Sequence, residues 1–235
     1  MSVAVVTGAS RGLGRALAVG LARQGWSLVV DARGGDALAC AAGEIRAALT
    51  AGADVVALAG DVTDPAHRAE VVASAERLGG LDLVVNNASV LGPSPQPALA
   101  SYPLEELRRV YEVNVVAPVA LAQAALPLLG HAADPRVLNV TSDASVEAYE
   151  GWGGYGSSKA ALDHASAVLA VEQPAVRVWV VDPGDMRTQM HQEAFPGEDI
   201  SDRPPPEAVV PVLLELISSS RPSGRYRASG LGAAS

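Results

Sequence analysis

The stretch of sequence that decides the fold reads Val3-Ala4-Val5-Val6-Thr7-Gly8-Ala9-Ser10-Arg11-Gly12-Leu13-Gly14. Its apolar opening predicts a buried strand, and its glycines permit a tight turn that lets the backbone approach a ligand. The residues after the turn are predicted to form a helix, whose first N–H groups offer a site for an anion. A pyrophosphate suits this site, although the spacing is G-x-x-x-G-x-G rather than G-x-G-x-x-G. The alternative is an ordinary glycine-rich connection.

Beyond this stretch, short β-branched runs alternate with longer segments rich in Ala and Leu. Strands are predicted at Val3–Thr7, Ser27–Asp31, Asp54–Ala59, Leu81–Asn86, Arg136–Ser142 and Arg177–Asp182. Helices are predicted at Gly12–Gln24, Gly35–Ala51, Ala66–Leu78, Pro103–Leu129, Tyr155–Val171 and Pro206–Ser219, with a short closing strand at Gly224–Ala228. The strands lack polar alternation, so both faces of the sheet should be buried. This pattern predicts the α/β class: a single doubly wound Rossmann domain over residues 1–235, with a mostly parallel central sheet and helices on both faces.

Composition excludes several kinds of partner. The formal net charge is -9, and the basic residues form no run, which argues against nucleic acid. Cys40 is the only cysteine, so no internal disulfide is expected, and the histidines (His67, His131, His164 and His191) lack metal-ligand spacing, so no metal is expected. The start of the chain leaves no room for a secretion signal, and no apolar run reaches the roughly 18 residues of a membrane span. We expect a cytoplasmic protein with no membrane or nucleic-acid partner.

A second informative stretch is Tyr155-Gly156-Ser157-Ser158-Lys159, thirteen residues after Ser142. Side chains at i and i+4 share a face of a helix, so the ammonium should lie beside the phenol and lower its pKa by favouring phenolate. Such a pair suits acid/base chemistry near neutral pH. Ser142 ends an apolar strand, where ligands bind in open α/β sheets.

Together these motifs resemble the short-chain dehydrogenase/reductase family, single-domain type, over about four-fifths of the chain from Thr7 to Thr188. The glycine turn is followed by Asp61-Val62 after the third strand and by Asn86-Asn87-Ala88-Ser89 after the fourth, where Ser89 replaces the usual Gly. Asn114, Ser142, Tyr155 and Lys159 match the catalytic set of the family, and Pro183-Gly184 with Thr188 matches its nicotinamide loop.

The resemblance implies a role for each of these residues. Ser142 would polarise a substrate carbonyl, Tyr155 would protonate its oxygen as hydride arrives, and Lys159 would lower the pKa of the phenol and hold the nicotinamide ribose. Pro118 cannot donate to the Asn114 carbonyl four residues earlier, and that carbonyl would hold a relay water; alternatively, Pro118 only bends the helix. The predicted dinucleotide contacts are Gly8, Ser10, Arg11, Gly12, Leu13, Gly14, Arg33, Asp61, Val62, Asn87, Ala88, Tyr155, Lys159, Pro183, Gly184, Met186 and Thr188.

The end of the second strand carries signals for both cofactors. An acid there favours a ribose 2′-OH, whereas an Arg accommodates a 2′-phosphate. Counting from the apolar run places Ala32 at the discriminating position and Arg33 next to it, with Arg11 as a second basic residue. We therefore expect NADP(H) rather than NAD(H). Asp31 is then interpreted as a strand-end residue turned elsewhere, the alternative being a solvent-facing acid.

The substrate is less well defined by the sequence. Predicted pocket residues are Ser89, Val90, Asp143, Tyr149, Trp152, Asp185, Met186 and Met190, and residues 185–206 form a predicted substrate-loop insertion. The expected activity is reduction of a ketone, aldehyde or diketone, or the reverse alcohol oxidation. Gly151-Trp152 and neighbouring segments also resemble the sepiapterin reductase branch, although the tail from Ser223 to Ser229 lacks the acid that binds pterin there.

The same residues are compatible with other activities, and the helices indicate a state of assembly. Rival hypotheses are a non-catalytic dinucleotide sensor and an epimerase or dehydratase that uses the same residues. The predicted helical segments Asn114–Leu129 and Ala160–Leu169 carry apolar residues on more than one face, so a homodimer or homotetramer is expected.

Overall fold

The computed structural model describes residues 2–231. Its strands are β1 (Val3–Val6), β2 (Ser27–Ala32), β3 (Val55–Ala59), β4 (Leu83–Asn86), β5 (Arg136–Val140), β6 (Arg177–Asp182) and β7 (Gly224–Arg227). Its helices are α1 (Gly12–Arg23), α2 (Gly35–Ala48), α3 (Pro65–Arg77), α4 (Leu104–Tyr111), α5 (Ala117–Leu129), α6 (Gly153–Glu172), α7 (Gln189–Ala194), α8 (Val210–Ser218) and α9 (Ala228–Leu231). All the predicted strands and helices are present, with ends shifted by a few residues.

The strands form one sheet in the order β3-β2-β1-β4-β5-β6-β7, and every neighbouring pair is parallel. The predicted fold class is thereby confirmed, with helices on both faces. The chain crosses from one half of the sheet to the other beside β1, and ligands of such sheets bind at the carboxyl ends of the strands near that point. The predicted domain includes Met1 and residues 232–235, which lie outside the described residues.

Two apolar cores, one on each face, hold the sheet between its helices. Successive strand residues point to opposite faces, so Val3 and Val5 join one core while Ala4 and Val6 join the other. All four side chains are at most 1% exposed. This double burial explains why the strands read as continuous apolar runs rather than alternating ones.

The predicted helix Pro103–Leu129 is interrupted by a π-helical turn, Glu112–Val116, between α4 and α5. Within this turn the Ala117 N–H donates to the Glu112 carbonyl five residues earlier. Pro118, which lacks an N–H, follows directly, and π turns of this kind are frequent at functional sites. The whole segment Leu104–Leu129 is long and apolar enough to span a membrane, contrary to the expectation from sequence. Since buried core helices meet the same criterion, these properties alone do not establish a membrane span.

The segment 185–206 was predicted as an irregular insertion, but it contains the short helix α7. Thr188 caps this helix, since its Oγ1 accepts from the His191 N–H at 3.2 Å. The ends of the segment are joined by a hydrogen bond of 2.8 Å from the Arg187 N–H to the Pro204 carbonyl. The insertion is therefore a closed loop built around one helical turn and a half.

Candidate active site

The carboxyl ends of the strands open into a cavity of about 930 Å³. The glycine turn lines one part of its wall, while Ser142, Tyr155 and Lys159 line another. Most predicted site residues are brought together here. The exceptions are Gly14, Asn114 and Tyr149, which lie outside the cavity wall.

Tyr155 and Lys159 share the buried face of α6, as their spacing predicted. Tyr155 is 8% exposed and Lys159 is 2% exposed, and the Lys159 Nζ lies 5.5 Å from the centre of the Tyr155 ring. The ammonium donates to the Val140 carbonyl at 2.9 Å, at the end of β5. Lys159 is also the only lysine in the sequence.

The expected lowering of the Tyr155 pKa is wrong in this structure. Burial raises the pKa of Tyr155 well above its usual value, while the nearby hydroxyls of Ser89 and Ser142 lower it and the carboxylates of Asp143 and Asp182 raise it. Burial also lowers the pKa of Lys159 to about 8, because the charged amine loses its water. The phenol is therefore neutral near pH 7 and carries the proton that a general acid must donate.

Ser142 lies just beyond β5, at the start of a 3₁₀ turn, Asp143–Ser145. Its Oγ donates to Asp143 Oδ1 at 2.8 Å and accepts from the Ala144 N–H at 3.2 Å. The other carboxylate oxygen of Asp143 accepts from the Tyr149 hydroxyl at 3.0 Å. Tyr149 is 46% exposed and lies outside the cavity wall, and its hydrogen bond holds the Asp143 carboxylate in place.

Asn114 lies in the π turn, fully buried behind the cavity. Its Nδ2 donates to the Val90 carbonyl at 2.9 Å and to Ser158 Oγ at 3.0 Å. Its Oδ1 accepts from the Val90 N–H at 2.9 Å and from Ser89 Oγ at 3.1 Å. Asn114 thus joins the loop after β4 to α6. The Ser89 hydroxyl, which replaces the usual Gly, takes part in this network beside the phenol of Tyr155.

The glycine turn forms a backbone cradle that side chains would fill. A Cβ on Gly8, which has a φ of 66°, would lie 2.8 Å from the Cα of Ala88, and one on Gly14 would lie 2.4 Å from Asn87 Nδ2. Asn87 Nδ2 fastens the turn by donating to the Thr7 carbonyl at 2.8 Å. The side chain of Arg11, the residue before α1, makes no capping hydrogen bond, and Gly12 and Leu13 at the start of the helix line the cavity. These features fit the pyrophosphate of a dinucleotide.

Asp31 is not the solvent-facing acid that was the alternative interpretation of the sequence. Its side chain is 3% exposed; Oδ1 accepts from the Gly8 N–H at 2.9 Å, and Oδ2 lies 3.1 Å from His67 Nε2. The side chain of His67, on α3, is 8% exposed. Arg33, two residues after Asp31, is exposed on the cavity wall. The arginine is therefore available to a ligand, whereas the carboxylate is turned into the protein.

The other predicted dinucleotide contacts lie on the same wall. The carboxylate of Asp61 accepts from the Thr63 N–H at 2.9 Å, and this hydrogen bond lowers the pKa of Asp61. Gly184 has a φ of 76° and donates its N–H to Asp182 Oδ1 at 3.0 Å, which shapes the Pro183-Gly184 loop. The remaining contacts on the wall are Ser10, Arg11, Gly12, Leu13, Val62, Ala88, Met186 and Thr188.

A cluster of rings packs beside the cavity, and three of its members, Trp152, Tyr155 and His191, line the wall. The ring of Trp152 lies 5.8 Å from that of Tyr155 and 5.8 Å from that of Phe195, and the ring of His191 lies 4.9 Å from that of Phe195. Met190 packs on the same cluster, while Asp185 lies on the adjoining wall. Phe195 and His191 were not singled out from the sequence, because the irregular segment gave no period from which their direction could be inferred.

A buried ionic network behind Ser142 was also missed. Arg225, on β7, donates to the Ser142 carbonyl at 3.0 Å and to Asp163 Oδ2 at 3.0 Å, and its guanidinium lies 3.7 Å from Asp182 Oδ2. Ser145 Oγ donates to the same Asp163 oxygen at 2.6 Å. Arg225 therefore links the last strand, α6 and the Ser142 turn. Its contacts lie more than 40 residues away in sequence, so no local pattern signals them.

No group of three or more potential metal ligands occurs within residues 2–231. All four histidines lie in helices or directly after one, and two of them, His67 and His191, bury most of their side chains. Cys40 lies exposed on α2, away from the cavity.

The comparisons with known proteins agree with this geometry. The family model described as short chain dehydrogenase matches residues 2–199, so the chain belongs to the short-chain dehydrogenase family. A relative from Streptomyces avermitilis, 1-deoxy-11-beta-hydroxypentalenate dehydrogenase, is 42% identical over 195 residues, which cover 80% of this chain and 70% of that protein. Rattus norvegicus sepiapterin reductase is 33% identical, over 82% of this chain and 77% of that protein.

A solved structure gives the same picture at the level of the fold. The alcohol dehydrogenase from the archaeon Thermococcus sibiricus, complexed with 5-hydroxy-NADP, superposes with a TM-score of 0.85 at 30% identity. The superposition covers 97% of this chain and 95% of that one. The chain is therefore an oxidoreductase of this family, which uses NAD(P) cofactors.

Proposed function

We propose that this protein is an NADPH-dependent reductase that converts a ketone, aldehyde or diketone into an alcohol, or catalyses the reverse oxidation. The observation that carries the proposal is the convergence of Ser142, Tyr155 and Lys159 on one cavity whose wall continues into the glycine cradle. A binding protein needs the cradle alone. The buried hydroxyl, phenol and amine supply the acid chemistry that reduction of a carbonyl requires.

Each residue has a distinct part in the proposed reaction. A bound NADPH supplies the hydride. The Ser142 hydroxyl donates to the substrate carbonyl in place of its present acceptor, Asp143 Oδ1. The neutral phenol of Tyr155 gives its proton to the substrate oxygen. Lys159, protonated below about pH 8, then stabilises the phenolate that remains.

The proposed preference for NADPH rests on the end of β2. Arg33 is exposed on the cavity wall, where its guanidinium is available to a 2′-phosphate, and Arg11 lies on the same wall with one of its guanidinium nitrogens donating to Gln189. The carboxylate of Asp31 does not compete for the ribose, because both of its oxygens face protein donors. Binding titrations with NADPH and NADH test the preference directly, and tighter binding of NADH would refute it.

The aromatic wall supports a substrate with an apolar ring. Trp152 lines the cavity, and its ring contacts with Tyr155 and Phe195 hold a flat apolar surface at a fixed position. Substrates with cyclic skeletons should therefore have lower KM values than short linear carbonyl compounds.

The decisive experiment is a panel of aldehydes, ketones and diketones assayed with NADPH, with stereochemical analysis of the products. Tyr155→Phe serves as the matched variant, since it removes only the phenolic hydroxyl. We expect its kcat to fall by about 10² to 10⁴, the usual contribution of a general acid. Full activity in Tyr155→Phe would overturn the proposed mechanism. Binding of NADPH without turnover would indicate a dinucleotide sensor, and turnover without net oxidation of NADPH would indicate an epimerase or dehydratase.

Pterin reduction is a second proposal, favoured by the relationship to sepiapterin reductase. The tail that would supply an acid to the pterin carries Arg225 instead, and that side chain faces Asp163 rather than the cavity. Sepiapterin is therefore included in the panel, where we expect it to be a poorer substrate than cyclic ketones.

Assembly and location complete the proposal. We infer a homodimer or homotetramer, supported by exposed apolar residues on α6, where Val168 is 42% and Val171 is 81% exposed. The acidic composition and small-molecule cavity support a cytoplasmic enzyme without nucleic-acid or membrane partners.

A further inference from the structure

Asp31 lies on the cavity wall one residue before Ala32, the position at which many dinucleotide-binding folds use an acid to select the unphosphorylated ribose. Here the carboxylate of Asp31 is bound by groups of the protein itself. Oδ1 accepts from the Gly8 N–H at 2.9 Å, which ties the carboxylate to the glycine turn, and Oδ2 lies 3.1 Å from His67 Nε2. Because a carboxylate only accepts hydrogen bonds, the imidazole must donate from Nε2.

His67 lies in the first turn of α3, and its side chain extends to Asp31 at the carboxyl end of β2. Its ring lies directly over Gly60, where a Cβ would be 2.2 Å from His67 Nδ1. The glycine thus makes room for the imidazole, which is 8% exposed. Because its side chain is buried and hydrogen-bonded to Asp31, the imidazole of His67 is held in one orientation.

The charges around this pair are mostly negative. Asp31 faces His67 from β2, while Asp61 and Asp64 act on it from the connection between β3 and α3. The hydrogen bond to Asp31 is the main cause of a raised pKa at His67. Arg33 lies two residues from Asp31 on the same cavity wall. The imidazole thus binds the Asp31 carboxylate through an N–H, and in its protonated form it also offsets the charge of that carboxylate on the cavity wall that carries Arg33.

We propose that His67 is a specificity-determining residue, which enforces the preference for NADPH by holding the Asp31 carboxylate away from the ribose and compensating its charge. The inference rests on the proposed cofactor preference. It predicts that loss of the imidazole frees Asp31 Oδ2 to accept a ribose 2′-OH, and leaves an uncompensated charge that repels a 2′-phosphate. Both effects favour NADH over NADPH.

The test is the ratio of the Kd for NADH to the Kd for NADPH, measured by calorimetric titration at fixed pH and salt and without substrate. In His67→Leu we expect this ratio to fall about tenfold from its wild-type value. His67→Gln should lower the ratio less than His67→Leu does, because its amide nitrogen can still donate to Asp31 although it carries no charge. His131→Leu, which alters an exposed histidine after α5, is the matched control and should leave the ratio unchanged.

A double-mutant cycle separates the charge from packing. In an Asp31→Asn background, whose side-chain oxygen can still accept from Gly8, His67→Leu should no longer change the ratio. An equal fall in that background would show that His67 acts through packing, and would overturn the inference. So would an unchanged ratio in folded His67→Leu protein.

Two further outcomes are covered by the same measurements. If thermal unfolding shows that His67→Leu does not fold, His67→Asn replaces it, because its shorter amide cannot reach Asp31, and the same tenfold fall is expected. Tighter binding of NADH by the wild-type protein would refute the proposed preference and this inference together. A wild-type preference for NADPH with no effect of His67 would refute the inference alone.

Discussion

At the scale of single residues, burial rather than charge pairing controls the catalytic groups. Tyr155 and Lys159 lie within reach of each other, yet loss of water raises the pKa of the phenol and lowers that of the amine. Both shifts favour the uncharged forms. The phenol of Tyr155 is therefore protonated, and it lies beside the Lys159 amine, which can gain or lose its proton near neutral pH.

The titration of Lys159 can be observed directly, because it is the only lysine. In protein labelled with ¹⁵N-lysine, NMR should show one side-chain amine signal that titrates at about pH 8. A midpoint near the usual 10.5 would contradict the burial argument. Between about pH 8 and 10.5 the unfolded chain retains a proton that the folded protein has released, so the free energy of unfolding should rise with pH. In Lys159→Met this rise should disappear.

Residue identities were largely predictable, but their environments were not. The sequence pattern singled out Ser142, Tyr155 and Lys159 because local spacing and strand ends carry that information. The burial of Asp31 depends on His67, which lies 36 residues away on another element. Pairings of this kind arise only when β2 and α3 pack together, so periodicity could not indicate them.

At the scale of elements, the glycine turn and α1 depend on contact too close for any side chain. At Gly14 an added Cβ would lie 2.4 Å from Asn87 Nδ2 and 2.6 Å from the Gly8 carbonyl. The loop after β4 and the turn after β1 therefore have to separate if this position carries a larger residue. Their contact shapes the cradle.

We expect Gly14→Ala to lower the free energy of unfolding by about 1–3 kcal/mol, as overpacking commonly does. It should also weaken NADPH binding at least tenfold, because Asn87 must move. Gly43→Ala is the matched control: it lies in the middle of α2 with no atom within 4 Å of the added Cβ. That variant should gain about 0.5–1 kcal/mol, since Gly is unfavourable inside a helix. Urea unfolding and NADPH titration measure both effects, and equal outcomes for the two variants would refute the close-contact argument.

The last strand should influence catalysis through Arg225. In Arg225→Met, the Ser142 carbonyl loses a donor, and Asp163 loses its ion-pair partner. We expect kcat to fall about tenfold, as when a buried charged hydrogen bond is lost, while the KM for NADPH stays the same. Steady-state kinetics with the best substrate of the panel measures both.

Arg227→Met provides a comparison on the same strand. Arg227 is half exposed and approaches Glu147 and Asp182 only to 3.7 Å, so its loss should change kcat less than twofold. Similar losses in the two variants would show that net charge, rather than the hydrogen bond to the Ser142 turn, is responsible.

At the scale of the whole molecule, the class of the fold followed from the alternation of strands and helices, and the sheet confirms it. What the pattern could not provide is the interruption at Asn114 and the position of β7 beside β6, because both depend on how distant segments pack. The sequence indicated that the long helices carry apolar residues on more than one face. The sequence alone could not separate faces that pack on the sheet from faces left exposed.

The exposed face of α6 carries the prediction about assembly. Val168 and Val171 are three residues apart and share one side of the helix, where they remain 42% and 81% exposed. If this face is an interface between subunits, Val168→Glu with Val171→Glu should yield monomers by light scattering. Ala39→Glu, at an exposed position on α2, should leave the mass unchanged. A monomeric wild-type protein would refute the predicted assembly.

The position of Arg225 on the final strand also bears on the order of events during synthesis. A growing chain that has reached residue 220 already carries the cradle and Ser142, Tyr155 and Lys159, but the arginine that fastens the Ser142 turn has yet to be made. Since β7 pairs only with β6, it can join a sheet whose other strands are in place. Dinucleotide binding should therefore precede full catalytic activity, because a chain that lacks Arg225 lacks the donor whose loss is expected to lower kcat about tenfold.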